Sequence, residues 1–207
     1  MPHTILRDSF YSELAVQMFN EEGVMKGSGG QGKVSWVGRE EIAEAAAKLL
    51  ASDMPLLGTF PMTGPSALSL SETATLLSSL KHRKLHYEDE PVDAAKEWRS
   101  KLGVPAWEVD TWVGSYEASA AGEFETIDLA LAVILGRPVS DLETSPLVLT
   151  SDVHAAAEKQ GFHSTSEISL LGKSGYVILT NGENGWKLIK DLAPGISAWV
   201  HSHPKAQ

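Results

Sequence analysis

The segment Gly27–Gly32, GSGGQG, bears most directly on the fold, because it matches the G-x-G-x-x-G pattern of dinucleotide-binding proteins. In those proteins a strand ends at the first glycine and a helix begins at the last, so that the helix N-terminus faces the pyrophosphate. Here polar residues interrupted by Gly23 precede the segment and are predicted to form a loop with it (NEEGVMKGSGGQGK, 20–33). The strand-like run KVSWV (33–37) follows the segment. The context therefore predicts a flexible turn leading into a strand rather than a phosphate loop.

The composition is typical of a soluble globular protein with a sizeable core. The chain has 207 residues, 43% of them hydrophobic, and a formal net charge of −10. Because an acidic surface repels a phosphate backbone, we expect no nucleic-acid partner. No apolar run approaches the ~20 residues of a membrane helix, and residues 1–10 lack the features of a secretory signal. We therefore expect a cytoplasmic protein that has no contact with a membrane.

The absence of cysteine excludes disulfides, thiolate metal sites and a cysteine nucleophile. Among the seven histidines, His201 and His203 are close in sequence and stand beside Pro204. Such a pair near a terminus is more typical of a solvated tail than of a metal centre. The sequence therefore predicts no metal site.

Alternating strand and helix patterns indicate an α/β fold. HTILR (3–7) and GTFPM (58–62) are predicted strands. Residues 39–51 are a predicted helix with an apolar stripe, acidic residues in its first turn and a lysine in its last. Ser69 and Glu72 have the spacing of a capping box, which predicts that another helix begins there.

Three ordered segments resemble the NmrA-like branch of atypical short-chain dehydrogenase/reductases, and most closely its NAD(P)H:quinone oxidoreductase-like members. They are ILRDSFYSEL (5–14), GQGKVSWVGREEIAEAAAKLL (30–50) and MTGPSALSLSETATLLSSL (62–80). The resemblance covers roughly residues 3–145. It implies a partial Rossmann-type α/β fold, NAD(P) as the cofactor, and a quinone or other carbonyl compound as the small-molecule substrate.

The matched region resembles the C-terminal, substrate-side portion of that family. We therefore expect residues 1–145 to form a substrate-side lobe, with the family's nucleotide-binding half expected ahead of residue 3. Such a lobe alone is not expected to bind NAD(P). Its sheet edges predict self-association, or a partner chain that completes the sheet.

The resemblance also implies the site residues. Those at the carboxyl end of a sheet strand, where they would face the nicotinamide, are Asp8, Ser9, Phe10 and Tyr11. Those implied in substrate binding are Tyr11 and two tryptophans in the helices over the family's pocket, Trp98 and Trp112. Asp8 departs from the family pattern, and core packing is the alternative role for the aromatic residues. No tyrosine has a lysine four positions later, so no catalytic residue is assigned.

Residues 146–207 are predicted to form a small strand–helix appendage. Within it, residues 161–199 resemble the C-terminal strand and helix of serine β-lactamase-like hydrolases. A Ser-x-x-Lys string occurs at Ser78 and Lys81, in the other segment, but no Tyr-x-Asn accompanies it.

Three hypotheses follow for the function. The first is an NAD(P)-dependent oxidoreductase, and the second is a catalytically inactive protein that binds a small molecule or a partner. A serine hydrolase is the third and rests on the tail alone. The missing phosphate loop favours the second hypothesis for this chain, whereas the family resemblance favours the first.

Overall fold

Strands and helices alternate through the first 150 residues of the computed structural model, which describes residues 4–52, 56–150, 164–171 and 174–181, the last two ranges by their backbone. The strands are β1 (Thr4–Asp8), β2 (Val24–Gly27), β3 (Lys33–Val34), β4 (Gly58–Met62), β5 (Leu68–Ser69), β6 (His86–Asp89), β7 (Ser164–Leu171) and β8 (Ser174–Asn181). The helices are α1 (Ser12–Gln17), α2 (Arg39–Ala51), α3 (Leu70–Leu80), α4 (Val92–Ser100), α5 (Ala106–Ala120), α6 (Ala130–Leu135) and α7 (Pro146–Thr150).

Two parallel strand pairs organise these elements. β1 pairs with β4 from Thr4 opposite Gly58 to Asp8 opposite Met62, and β2 pairs in the same sense with β6. β3 and β5 form a short antiparallel pair. Parallel neighbours need crossover connections, which the intervening helices supply. The predicted α/β class is therefore confirmed.

One face of the β1–β4 pair is covered by helices. Leu6, Phe60 and Met62 pack in a cluster with residues of α2 and α6, including Ala45 and Leu131. The predicted helix over residues 39–51 is confirmed as α2. Its last-turn Lys48 donates to the carbonyl of Leu135 at 2.5 Å and thereby joins α2 to the end of α6. Helices α2 and α6 thus pack on one face of the β1–β4 pair.

The larger core cluster lies around α1, α3 and α5 and includes Phe19, Trp36 and Leu77. The capping box at the start of α3 is confirmed: the amide of Glu72 donates to Ser69 Oγ at 3.2 Å, and the amide of Ser69 donates to Glu72 Oε2 at 2.7 Å. Trp36 Nε1 donates to Thr73 Oγ1 at 2.9 Å, so the indole and the helix are held together inside this core.

The chain divides into two compact units, Met1–Lys159 and Gln160–Gln207. Helix α7 lies in the first unit, because Val148 is fully buried in the larger core cluster and α7 packs on α1. The first unit therefore continues past the boundary expected at residue 145.

The second unit contains an antiparallel hairpin in which β7 pairs with β8 along its whole length, from Ser164 opposite Asn181 to Leu171 opposite Ser174. The strand expected in the tail is β8. The helix expected after it lies outside the described residues, as do His201 and His203.

None of the helices in the described part of the chain is long and apolar enough to cross a bilayer. The same residues contain no group of three or more histidine or acidic side chains placed to hold a metal ion.

Candidate functional site

The glycine segment Gly27–Gly32 joins two strands. β2 ends at Gly27 and β3 begins at Lys33. The residues before Gly27 were expected to be a loop, and this expectation is wrong, because parallel pairing with β6 and burial of Met25 hold them extended. A strand therefore does lead into the first glycine, but the element that follows is a strand and not a helix. The helix N-terminus that a dinucleotide site uses is absent here.

The protein itself binds the amides of this segment. The amide of Gly29 donates to the Tyr87 hydroxyl at 2.9 Å, and that of Gly30 donates to Asp89 Oδ1 at 2.8 Å. The amide of Gly32 donates to the carbonyl of Gly29 at 3.0 Å. We call Gly27–Gly32 with Tyr87 and Asp89 the glycine clasp. A phosphate group would have to displace these bonds and approach the carboxylate of Asp89.

Packing, too, requires the glycines of the clasp. A Cβ atom on Gly27 would lie 2.3 Å from the ring of Tyr116, and one on Gly32 would lie 1.9 Å from the carbonyl oxygen of Ser119. The Ser28 hydroxyl is buried without a hydrogen-bond partner, but one hydroxyl does not make a phosphate cradle. The residues of the clasp therefore do not fit the pyrophosphate of NAD(P).

A second candidate site lies at the carboxyl end of β1. The amide of Ser9 donates to the carbonyl of Met62 at 3.0 Å, and the amide of Val37 donates to the carbonyl of Phe10 at 3.0 Å. These bonds hold the backbone directly after β1 against β4 and the loop before α2. In α/β proteins the carboxyl ends of parallel strands are the usual place for ligands. The residues implied by the family resemblance, 8–11, lie at this end of β1, and their role in binding stays a prediction.

Asp8 and Tyr11 form a hydrogen-bonded pair at this end of the strand. The Tyr11 hydroxyl donates to Asp8 Oδ2 at 3.1 Å, while Asp8 Oδ1 is buried without a hydrogen-bond partner. Burial raises the pKa of Asp8 to about 6, although the bond from Tyr11 acts in the opposite direction. Burial also raises the pKa of Tyr11, so the phenol stays neutral at physiological pH. The pair thus contains a carboxyl group that exchanges its proton near neutrality.

Charged neighbours surround the phenol ring of this pair. The Arg39 guanidinium lies 5.8 Å from the centre of the Tyr11 ring and 3.6 Å from Glu13 Oε1. Glu13 is almost fully buried, and its Oε1 also accepts the amide of Arg39 at 3.1 Å. Arg39 thus has Glu13 as an ion-pair partner beside the phenol ring.

Ser9 and Phe10 have packing roles in the structure. The hydroxyl groups of Ser9 and Ser35 are 3.1 Å apart. The Phe10 ring lies 4.5 Å from that of Phe124 and 5.8 Å from that of Trp36, centre to centre. Phe10 thus shows the core packing that the sequence left open as its alternative. Of the four residues, Asp8 and Tyr11 are the two that pair with each other.

Trp98 and Trp112 meet each other in a different cluster. Their ring centres are 6.0 Å apart, and the Arg99 guanidinium lies over both rings, 4.2 Å from the centre of Trp98 and 4.8 Å from that of Trp112. Arg99 is fully buried, and its Nη1 donates to Glu90 Oε1 at 2.7 Å. Trp98 Nε1 donates to the other oxygen of Glu90 at 2.9 Å. We call Glu90, Trp98, Arg99 and Trp112 the arginine cage.

The structure does not place the cage tryptophans beside Tyr11, which packs in the cluster between β1–β4 and α2. Their role in substrate binding stays a prediction. Sequence reasoning also missed Arg99, although the spacing held a signal. Arg99 follows Ala95 by four residues, so the two share the inner face of α4.

The Ser-x-x-Lys string, Ser78 to Lys81, lies at the C-terminal end of α3. Ser78 Oγ donates to the carbonyl of Arg83 at 2.6 Å, and Lys81 Nζ donates to the carbonyl of Val148 at 2.5 Å. Both side chains thus bind backbone at a helix terminus. The described residues give the hydrolase hypothesis no support.

We expect Asp8→Asn to stabilise the chain at pH 8 and to leave its stability unchanged at pH 4. The folded-state pKa lies above the usual value of 3.8, so the folded state loses stability as pH rises from about 4 to 6. Above pH 6 the loss is constant, at about 2 kcal/mol after allowance for solvent screening. Urea unfolding of both proteins at the two pH values measures it. A variant that is less stable than the parent at pH 8 would contradict the assignment.

No family model matches the chain. It is 27% identical over 141 residues to the NAD(P)H azoreductase of Xenophilus azovorans, which covers 67% of this chain and 49% of that protein. It is 26% identical over 147 residues to quinone oxidoreductase 2 of Escherichia coli, which covers 69% of this chain and 51% of that protein. The chain thus spans about half the length of the curated relatives it matches.

Solved structures show the fold. A crystal structure of the NADPH-dependent quinone oxidoreductase from Escherichia coli matches with a TM-score of 0.64 at 24% identity, over 70% of this chain and 54% of that one. The triphenylmethane reductase of a Citrobacter species matches with a TM-score of 0.60 at 24% identity, over 72% and 54%. The chain therefore has a mixed α/β fold with Rossmann-like reductases as structural neighbours over about 70% of its length.

Proposed function

We propose that this chain is the acceptor-side unit of an NAD(P)-dependent oxidoreductase that reduces a quinone or other carbonyl compound. The observation that carries the proposal is the Asp8–Tyr11 pair, which lies at the carboxyl end of a parallel strand. The similarity to an azoreductase and a quinone oxidoreductase supports the same chemistry. Reduction of a carbonyl by hydride also consumes a proton, and a carboxyl group with a pKa near 6 exchanges protons at physiological pH.

In this proposal Asp8 Oδ1, which is buried in the chain alone, becomes accessible and meets the acceptor when the acceptor binds. It has no hydrogen-bond partner among the described residues, so a protonated Asp8 can donate to a carbonyl oxygen and an ionised Asp8 can accept from a hydroxyl group. Tyr11 holds the other oxygen and fixes the orientation of the carboxyl group. Ser9 and Phe10 shape the backbone and the wall beside it, whereas Trp98 and Trp112, which pack in the arginine cage, have no assigned role at this atom.

NAD(P) is the cofactor in this proposal, but the glycine clasp is not the site of its phosphates. NAD(P) supplies the hydride when it is bound, and the side chains after β1 would lie at its nicotinamide end. The glycine clasp does not fit its phosphates, since the amides of Gly29, Gly30 and Gly32 are already bound. We therefore derive no hydride-transfer step for this chain.

A redox-inactive binding protein is the second candidate function. The occupied amides of the glycine clasp favour it, because they leave this segment with no place for a dinucleotide. Both candidates expect a small molecule at the carboxyl end of β1. They differ in whether that molecule is reduced when NAD(P)H is bound beside it.

Binding of the quinone menadione tests the acceptor site. We expect the parent chain to bind it with a dissociation constant near 10 μM, a binding free energy of about −7 kcal/mol. Quenching of tryptophan fluorescence measures the binding. Asp8→Asn and Tyr11→Phe should each weaken binding about tenfold, because the first removes the titratable carboxyl group and the second removes the hydroxyl that holds it. Asp110→Asn, which changes an exposed carboxylate paired with Lys96, is the matched control and should bind like the parent. Equal affinity in all four proteins would refute the assigned site.

A further inference from the structure

A small cavity lies between the start of α1, the N-terminus of α2 and the segment that leads into α7. Glu13 of α1, Gly38, Glu40 and Glu41 at the start of α2, and Ser145 before α7 line it. Its volume is about 20 Å³. A cavity needs roughly 10–15 Å³ to hold one water molecule, so this one has room for a single group of that size.

Glu13 uses only one of its two carboxylate oxygens. Its Oε1 accepts the amide of Arg39 at 3.1 Å and lies 3.6 Å from the guanidinium Nε of the same residue. Its Oε2 is buried and has no hydrogen-bond partner among the described residues, and the residue as a whole is 3% exposed. A buried charged oxygen without a donor is unfavourable. The last side-chain torsion of glutamate is broad, so a small rotation turns Oε2 towards a donor in the cavity.

The charges around the cavity determine which donor fits. Glu40 and Glu41 line it together with Glu13. Arg137 Nη1 pairs with Glu41 Oε1 at 2.7 Å, and Arg39 pairs with Glu13. Three carboxylates thus face two guanidinium groups, and the remaining charge is negative. An occupant that both donates a hydrogen bond and carries a positive charge satisfies Oε2 and balances this charge, whereas water does only the first.

We propose that this cavity is a binding site for an ammonium group, which donates a hydrogen bond to Glu13 Oε2. A free ammonium ion and the head of a primary amine share this chemistry. The proposal does not depend on the proposed function. Because the walls come from α1, α2 and the segment before α7, binding should stabilise the packing of these three elements.

Thermal unfolding of the full 207-residue chain at pH 7 tests the site. The salts are ammonium chloride, potassium chloride and choline chloride, each at about 100 mM. We expect ammonium to raise the unfolding midpoint by about 4 °C relative to the other two salts, the rise for a ligand at about ten times its dissociation constant. Potassium matches ammonium in charge and nearly in size but donates no hydrogen bond, and choline is too large for the cavity.

Two variants alter the cavity in different ways. Glu13→Gln keeps the shape of the side chain but removes the charge. Gly38→Ala keeps every charge and adds a methyl group to the wall, where its Cβ atom would lie 3.6 Å from Glu41 Oε2. Gly38 has a φ of −74°, which alanine adopts without strain. Each variant should lose the rise, whereas Glu97→Gln, at an exposed carboxylate paired with Lys101, should keep it.

Methylammonium identifies the source of the ammonium group. A rise equal to or above that of ammonium assigns the head of a primary amine, and no rise assigns the free ion. If either cavity variant is unfolded, amide chemical shifts of the parent decide: saturable shifts at residues 13, 39 and 40 with ammonium and none with potassium support the site. Equal midpoints in the three salts, a potassium effect as large as that of ammonium, or an undiminished rise in folded Glu13→Gln would overturn the proposal.

Discussion

Replacement of Gly32 by alanine is expected to lower the free energy of unfolding by about 3 kcal/mol or more, at the upper end of overpacking effects. The new Cβ atom would lie 1.9 Å from the carbonyl oxygen of Ser119 and 2.7 Å from the amide nitrogen of Ala120. Both atoms belong to the backbone at the end of α5, so no side-chain rotation relieves the contact. Sequence alone predicts a cost of about 1 kcal/mol here, from glycine's conformational freedom.

Gly30→Ala is the matched control within the same segment. Gly30 has a φ of 53°, in the left-handed region, and a Cβ atom there meets nothing within 4 Å. The expected cost is therefore about 1 kcal/mol, from backbone strain alone. Urea unfolding of both variants measures the difference. Equal stabilities would mean that Gly32 does not pack against α5 as the structure shows.

Arg99→Leu is expected to cost about 3–5 kcal/mol, the range for removing one partner of a buried ion pair. The carboxylate of Glu90 would lose the partner at 2.7 Å, and the carbonyl of Lys26 would lose a donor at 2.8 Å. The cation that lies over the rings of Trp98 and Trp112 would also be gone. Chemical denaturation followed by tryptophan fluorescence reports on the cage directly.

Lys96→Ala provides the comparison for this variant. Lys96 lies on the same helix and pairs with Asp110 at 2.8 Å, but both side chains are exposed. Exposed pairs contribute about 0–1 kcal/mol, so this variant should unfold nearly like the parent. The double change Arg99→Leu with Glu90→Gln should recover part of the loss, because it no longer leaves a buried carboxylate unpaired. Without any recovery, the ion pair would not be the reason for the cost.

Local signals in the sequence were sufficient for the elements they specify. The acidic first turn and apolar stripe of residues 39–51 predicted α2, and the spacing of Ser69 and Glu72 predicted the start of α3. These features act within a few residues, so the chain outside them matters little. The strand after residue 3 was found for the same reason, from its branched side chains.

Long-range contacts decided what the sequence did not reveal. β2 directly follows the polar residues 20–22 and Gly23, and it is held extended by β6, which lies about 60 residues later. The glycine clasp depends on Tyr87 and Asp89, and nothing near Gly27–Gly32 in the sequence indicates them. The elevated pKa of Asp8 likewise comes from burial, which no spacing encodes. A glycine pattern alone therefore identified a tight turn but not the groups that bind it.

An amide chemical-shift map of the purified chain, recorded with NADPH and then with menadione, distinguishes an acceptor site after β1 from a dinucleotide site in the glycine clasp. We expect menadione to shift the amides of residues 8–11 after β1. Millimolar NADPH should leave the amides of Gly29, Gly30 and Gly32 unshifted, because Tyr87, Asp89 and Gly29 already bind them. Saturable shifts at those three glycines with NADPH, together with none at residues 8–11 with menadione, would contradict both expectations.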